Sequence, residues 1–180
     1  MLEEYLPFVI IAVVTAGLIA ATIVLARLAW RRQVRRYLMD LVGRRDVIGT
    51  GLSSAQAVVR TLAESDTDGL VAFAQNDSDE RTALSEIAAR MSIEASELEA
   101  VALPKRLWPL ADALGEAART LAAQTGAVGE ATGLDAIDGL AGLDLEVVRA
   151  FISRADEEIR SVSEACRLTD PTMYDGVAHA

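Results

Sequence analysis

The apolar positions of the chain begin with an unbroken run of 21 residues at positions 6–26. A helix of this length, at ~1.5 Å per residue, extends for about 31 Å, which is the thickness of a bilayer's hydrocarbon core. The residues before the run include Glu3 and Glu4, whereas a cleaved signal peptide has a basic start, a shorter apolar stretch and a small-residue cleavage site. The pattern predicts a single transmembrane helix at residues 6–30, preceded by a short extracytoplasmic N-terminus at residues 1–5.

Arginines follow the apolar run and predict its orientation. Seven arginines lie within residues 27–45, and none precedes the run. Because basic loops remain in the cytoplasm, we expect a cell-membrane protein with its N-terminus outside and its C-terminal domain cytoplasmic. The arginines are also predicted to contact anionic lipid headgroups, although a role in topology alone would account for them. The predicted headgroup contacts are Arg27, Arg31, Arg32, Arg35 and Arg36.

Small side chains recur at helical spacing within the apolar run. Stripes of small residues let helices approach closely in lipid, so the pattern predicts pairing with a second copy or with another membrane helix. An alanine-rich run also produces such a stripe by chance. The run contains no ionisable residue, which argues against an ion or proton path through this helix alone. The predicted packing residues are Ala12, Ala16, Gly17, Ala20 and Ala21.

Helical periodicity continues beyond the membrane segment. Residues 31–52 are interpreted as a basic juxtamembrane segment and linker, because three glycines fall within residues 43–51. Apolar residues at helical spacing then predict a helical domain at residues 53–168, and no alternating pattern of useful length indicates a strand. Asp170 and Pro171 begin a tail, residues 169–180, that we predict to be disordered.

Two inner helices of this domain have recognisable ends. Asp77, followed three residues later by Glu80, resembles a capping box and predicts the start of a helix that Pro104 ends. A second helix is predicted to begin near Leu107. Three glycines between positions 126 and 133 then predict a flexible connection.

The last helix has the clearest pattern, with apolar residues at spacings of three and four behind a capping Asp144. Such a seam is typical of a helical bundle or coiled coil. Asp156 and Arg160 are predicted to pair on its exposed face. Several amphipathic helices joined by short breaks favour an all-α fold, with a small antiparallel bundle in the cytoplasm. The predicted bundle seam comprises Leu145, Val148, Ile152, Ala155, Ile159 and Val162.

Charge is distributed unevenly along the chain. The net charge is −10, yet the residues that follow the basic segment, 46–180, contain 24 acidic and ten basic side chains. Nucleic-acid binding depends on clustered Lys and Arg, so this acidic domain is not expected to bind nucleic acid.

Residues 85–101 carry one resemblance to a known motif. The core of a DNA-binding helix-turn-helix has apolar residues and one small residue at a fixed spacing. This segment resembles it at Ile87, Ala88, Met91, Ile93, Leu98 and Val101. Two features depart from that pattern. Ser92 stands at the turn position where glycine is usual, and the segment equivalent to the recognition helix carries three glutamates and no basic residue. Because carboxylates repel phosphates, the segment is interpreted as a packing motif rather than a reader of DNA.

Candidate catalytic and metal-binding residues are sparse. Cys166 is the only cysteine and His179 the only histidine, which excludes an internal disulfide and a cysteine-based zinc site. Di-iron bundles require Glu-x-x-His pairs on their helices, and the aspartates at positions 66–79 lack the spacing of a calcium-binding loop. Gly49 and Gly51 are not followed by the further glycine or the Gly-Lys pair of a phosphate-binding loop. The sequence therefore predicts no catalytic residue, no metal and no cofactor.

These features together predict a non-catalytic, single-pass membrane protein. Its acidic cytoplasmic domain is expected to bind a protein partner, as an accessory or scaffold subunit of a membrane complex, or the chain forms a homo-oligomer. Two alternatives remain open at this point. One is a membrane-tethered regulator with a degenerate helix-turn-helix, and the other is a helical-bundle sensor that holds a small ligand.

Overall fold

The computed structural model describes residues 2–75 and 78–166, and of residues 2–14 and 16 it describes the backbone only. These residues are helical with short connections and contain no strand, so the predicted all-α fold is confirmed. The helices are α1 (Leu2–Glu64), α2 (Thr67–Ala74), α3 (Asp79–Ala100), a 3-10 turn (Lys105–Leu107), α4 (Trp108–Glu130), α5 (Leu134–Ala141) and α6 (Leu145–Cys166).

Two units are distinguished, Met1–Tyr37 and Leu38–Ala180. The first consists of the N-terminal part of α1, and the second contains the bundle. Among the residues described, no helix combines the length and the apolar character needed to cross a membrane. The side chains at positions 6–14 and 16, which form part of the predicted span, lie outside the description, as does the predicted tail.

The linker predicted within residues 43–51 is instead part of α1. Its glycines do not interrupt the helix because tertiary packing outweighs their low helix propensity, about 1 kcal/mol for each glycine. A Cβ atom at Gly51 would lie 3.2 Å from the Met91 side chain and 3.4 Å from that of Leu121. Gly51 therefore lets α1 approach α3 and α4 closely. In the sequence, a glycine with this packing role looks the same as a glycine in a linker.

Gly43 offers a direct test of this continuous helix. It is exposed, and a Cβ atom built there has no neighbour within 4 Å. We expect Gly43→Ala to stabilise the protein by about 0.5–1 kcal/mol, because alanine loses less backbone entropy in a helix. Urea denaturation of the full-length protein in detergent measures the change. Gly51→Ala is the matched control and should gain less, because Met91 must move; an unchanged stability for Gly43→Ala would indicate a flexible linker.

Contacts between α3 and α4 show that these two helices are antiparallel. Arg81 near the start of α3 donates a hydrogen bond to the Gly129 carbonyl near the end of α4, at 3.1 Å. Glu99 at the end of α3 pairs with Arg119 in the middle of α4. α6 packs against α4 as well. The bundle interior is formed by buried residues that include Leu38, Leu41, Ile48, Leu84, Met91, Leu110, Leu114, Leu121, Val148 and Ile152.

Side-chain caps define the starts of α3 and α6. Ser78, in an extended conformation, accepts a hydrogen bond from the Arg81 N–H at 3.2 Å and caps α3. This cap lies one residue after the predicted Asp77, which is outside the described residues. Asp144 accepts from the Val147 N–H at 3.4 Å, so the predicted cap of α6 is confirmed. Each cap satisfies an amide that the first helical turn leaves without a backbone partner.

The flexible connection predicted near residue 130 is shorter than expected. α4 continues to Glu130 and includes Gly126 and Gly129. A Cβ atom at Gly129 would lie 2.7 Å from the Ser85 Oγ, so this glycine permits close contact between α3 and α4. Gly133 does act as a break: it adopts a φ of 62°, a left-handed conformation that glycine tolerates, immediately before α5.

Candidate functional site

The N-terminal part of α1 exposes its apolar side chains. Every residue from position 17 to position 33 is exposed, with Leu18 at 65% and Leu25 at 67%. Three of the predicted packing residues, Gly17, Ala20 and Ala21, are within this exposed stretch, whereas the side chains of Ala12 and Ala16 are not described. Contiguous exposed apolar surface of this kind is typical of an interaction with lipid or with another protein.

The predicted headgroup contacts lie on this same exposed part of α1. Arg27, Arg31 and Arg35 follow one another at spacings of four, so they share a helix face, and Arg32 and Arg36 form the adjacent row. All five side chains are exposed. The segment with residues 17–36, which we call the anchor segment, therefore carries an apolar part followed directly by a cationic part.

The predicted bundle seam lies in the interior. Val148, Ile152, Ala155, Ile159 and Val162 are buried, and Leu145, at the first residue of α6, is half-buried. Cys166 continues the seam at 2% exposure. A thiol enclosed by apolar neighbours is poorly reactive, and these residues supply packing rather than chemistry.

Arg45 and Asp156 form the main ion pair between α1 and α6. The Arg45 Nε and Nη2 atoms donate to the two carboxylate oxygens of Asp156 at 2.8 and 2.9 Å. Hydrogen bonding with Asp156 raises the pKa of Arg45 above its ordinary value, against the opposing effect of burial. The sequence analysis missed this pair. It placed Asp156 on the exposed face with Arg160, but the Asp156 side chain is only 17% exposed.

Arg44, the neighbour of Arg45, joins α1 to α3. Its guanidinium contacts Glu94 at 3.1 Å, Glu97 at 2.8 Å and Asp40 at 3.3 Å. Burial lowers the pKa of Arg44, but the hydrogen bonds that Arg44 donates to Glu97 and Asp40, together with the charges of Asp40 and Glu94, outweigh that effect, so the net pKa is raised. Arg44 and Arg45 thus point to different helices and hold α1 against both.

The segment that resembles a helix-turn-helix contains no turn. α3 is one helix from Asp79 to Ala100, and Ser92, at the expected turn, lies in its middle. The helix continues because Ser92 provides no glycine with which to reverse the chain, and Met91, Ala95 and Leu98 are buried on a single face. The prediction of a packing motif fits this arrangement. Of the three glutamates in the segment, Glu94 and Glu97 are paired with Arg44.

A groove with a volume of about 920 Å³ lies between α1 and α6. Its lining mixes short polar side chains, such as Ser53 and Ser153, with Gly49 and Ile152. The two arginines at its edge, Arg45 and Arg149, are already paired with carboxylates. This surface differs from the apolar pocket, with a few converging polar groups, that typically holds a small ligand.

In the portion of the chain described here, no group of three or more His, Cys, Asp or Glu residues is placed to hold a metal ion. Comparisons of the chain with protein-family models, with curated proteins and with solved structures give no match. The arrangement of the residues is therefore the basis for any functional proposal.

Proposed function

We propose that the protein is a non-catalytic, single-pass membrane protein. In this proposal, residues 6–30 span the membrane and the acidic helical domain lies in the cytoplasm. There it binds a protein partner as an accessory or scaffold subunit of a membrane complex. The observation that carries the proposal is the apolar run at residues 6–26 followed directly by exposed arginines.

The exposure of the anchor segment supports lipid as its environment. Burying a leucine or isoleucine side chain stabilises by about 1.5–3 kcal/mol, so the exposed Leu18, Ile23 and Leu25 favour an apolar surrounding. The arginines that follow would lie at the height of the lipid headgroups, where a basic side chain gains about 1 kcal/mol from anionic lipid. Trp30, 43% exposed, lies between them, and tryptophan favours the membrane–water interface.

The pairing of the arginines within the bundle supports a binding role without catalysis. Arg45 is matched by Asp156, Arg44 by Glu94 and Glu97, and the buried Arg81 by two backbone carbonyls. Groups that are fully paired with one another stabilise the contacts between helices. A rigid bundle on a membrane tether is suited to presenting a surface to another protein.

Membrane insertion is tested by fractionation of the full-length protein. We expect it to stay with the membrane after alkaline carbonate extraction, and its C-terminal domain to be cleaved by protease only in inside-out vesicles. Ile19→Asp combined with Ile23→Asp should shift the protein to the soluble fraction, since an Asp at mid-span costs about 2.5–3.5 kcal/mol. Ile93→Asp combined with Val147→Asp introduces the same groups at exposed bundle positions and should leave the fractionation unchanged. Extraction of the unmodified protein by carbonate would contradict the proposal.

The partner is tested by affinity purification from the native membrane in mild detergent. We expect a co-eluting protein in fixed stoichiometry that persists after residues 6–30 are exchanged for an unrelated transmembrane helix. Loss of the partner after that exchange would show that the membrane helix makes the interaction. A protein that purifies alone would contradict the accessory role.

A further inference from the structure

Two short helices, α2 and α5, close one end of the bundle. They lie where α1 and α4 end and where α3 and α6 begin. Phe73 of α2 and Ala136 of α5 are buried in one cluster with Leu62, Leu84 and Val128. The Gly133 N–H donates to the Ala74 carbonyl at 2.9 Å and ties the start of α5 to the end of α2. We refer to residues 67–74 and 134–141 as the cap.

The cap exposes large apolar side chains next to this buried cluster. Leu134 is 78% exposed and Val71 is 46% exposed. Leu70 and Ile137, on the same two helices, are half-buried. The cap buries one side against the core and keeps an apolar surface on the other, which is the usual property of a docking surface.

The two stretches of sequence that contain the cap carry acidic side chains without basic ones. The sequence contains no Lys or Arg between Arg60 and Arg81, and none between Arg119 and Arg149, although these stretches hold six and five acidic residues. Three of the carboxylates, those of Asp68, Asp135 and Asp138, are exposed on the cap itself. Arg81 does not offset them at the surface, because it is 2% exposed and its guanidinium is bonded to backbone carbonyls.

We propose that the cap is the docking surface for a cationic amphipathic segment of the protein partner. An apolar side chain of that segment would pack on Leu134 and Val71, while its Lys or Arg residues would face Asp68, Asp135 and Asp138. Charge complementarity identifies this occupant, since a second cap, an anionic lipid surface or a nucleic acid would bring like charges together. The inference rests on the proposed partner-binding function and names the surface and the chemistry of that interaction.

The test uses a fluorescent helical peptide of lysine and leucine as the probe and its glutamate–leucine counterpart as the reference. Binding to the full-length protein in an uncharged detergent is followed by fluorescence anisotropy. We expect one-to-one binding of the lysine peptide, weakened by added salt, and no comparable binding of the glutamate peptide. Weakening by at least about tenfold is expected for Asp135→Lys combined with Asp138→Lys, since both attractive contacts become repulsive.

A matched control separates position from net charge. Glu157→Lys combined with Glu164→Lys makes the same charge change at exposed positions of α6 away from the cap and should weaken binding by less than about threefold. Leu134→Ser removes an exposed side chain and should weaken binding without lowering the melting temperature. Equal weakening by both charge reversals, unchanged affinity for Leu134→Ser, or failure of the lysine peptide to bind would overturn the proposal. Fractionation and co-purification report on the proposed function separately.

Discussion

Replacing Arg45 by methionine is expected to destabilise the bundle by about 3–5 kcal/mol, because it leaves the carboxylate of Asp156 without its charge partner in a largely buried position. Arg45 donates two parallel hydrogen bonds to Asp156, and the two side chains are 10% and 17% exposed. Water therefore replaces the guanidinium poorly. Urea denaturation of the full-length protein in detergent, followed by circular dichroism, measures the loss.

Two further variants distinguish the effect of leaving Asp156 without a charge partner from the effect of losing an arginine side chain. Arg45→Met combined with Asp156→Leu removes both charges, and we expect it to recover most of the stability, since an apolar pair of similar volume replaces the ion pair at little net cost. Arg154→Met removes an exposed arginine of α6 and should change stability by less than about 0.5 kcal/mol. A loss of under about 1 kcal/mol for Arg45→Met would show that the pair is solvated.

Replacing Arg81 by methionine is the second large expected effect, a loss of about 2–4 kcal/mol. Its guanidinium donates to the Gly129 carbonyl at 3.1 Å and to the Phe73 carbonyl at 3.0 Å, and it lies 5.6 Å from the centre of the Phe73 ring. Without Arg81 the half-buried Gly129 carbonyl loses this donor, and the buried Phe73 carbonyl keeps only the N–H of Gln75. The lost hydrogen bonds cost about 1–3 kcal/mol, and the cation–π contact adds about 0.5–2 kcal/mol. The same denaturation experiment measures the change.

The position of Arg81 predicts where the damage occurs. Because it joins α2, α3 and the end of α4, we expect hydrogen exchange to accelerate most in α2 and α5 and least in the middle of α6. Arg90→Met, at an exposed position of the same helix, should leave both stability and exchange nearly unchanged. Acceleration spread evenly over all helices would show that Arg81 acts on global stability alone.

Most helices were predictable because the information for them is local. The seam of α6 recurs every three or four residues, Asp144 supplies the cap, and the structure has the helix at Leu145–Cys166. The short helices α2 and α5 have 8 residues each, about two turns, so periodicity defines them less well than it defines α6. Periodicity identifies the buried face of a helix, whereas the ends depend on caps and neighbours.

The glycines show why some of the fold was not predictable. Gly43, Gly49 and Gly51 carry the local signal of a linker, yet α1 continues through them. Their effect depends on what lies opposite: Gly51 faces Met91 and Leu121, which are distant in the sequence. Gly133, with its positive φ, does behave as its local conformational freedom suggests.

The sequence by itself determined the helical class of the described residues, the buried face of α6 and the separation of basic and acidic regions along the chain. Each of these properties depends on the spacing or composition of residues that are close together in the sequence. Only the tertiary structure decided that Arg45 pairs with Asp156, 111 residues away, and that Arg81 pairs with carbonyls on α2 and α4. The physical reason is that an arginine on an apolar helix face needs a buried acceptor, and the packing of distant helices determines which acceptor reaches it.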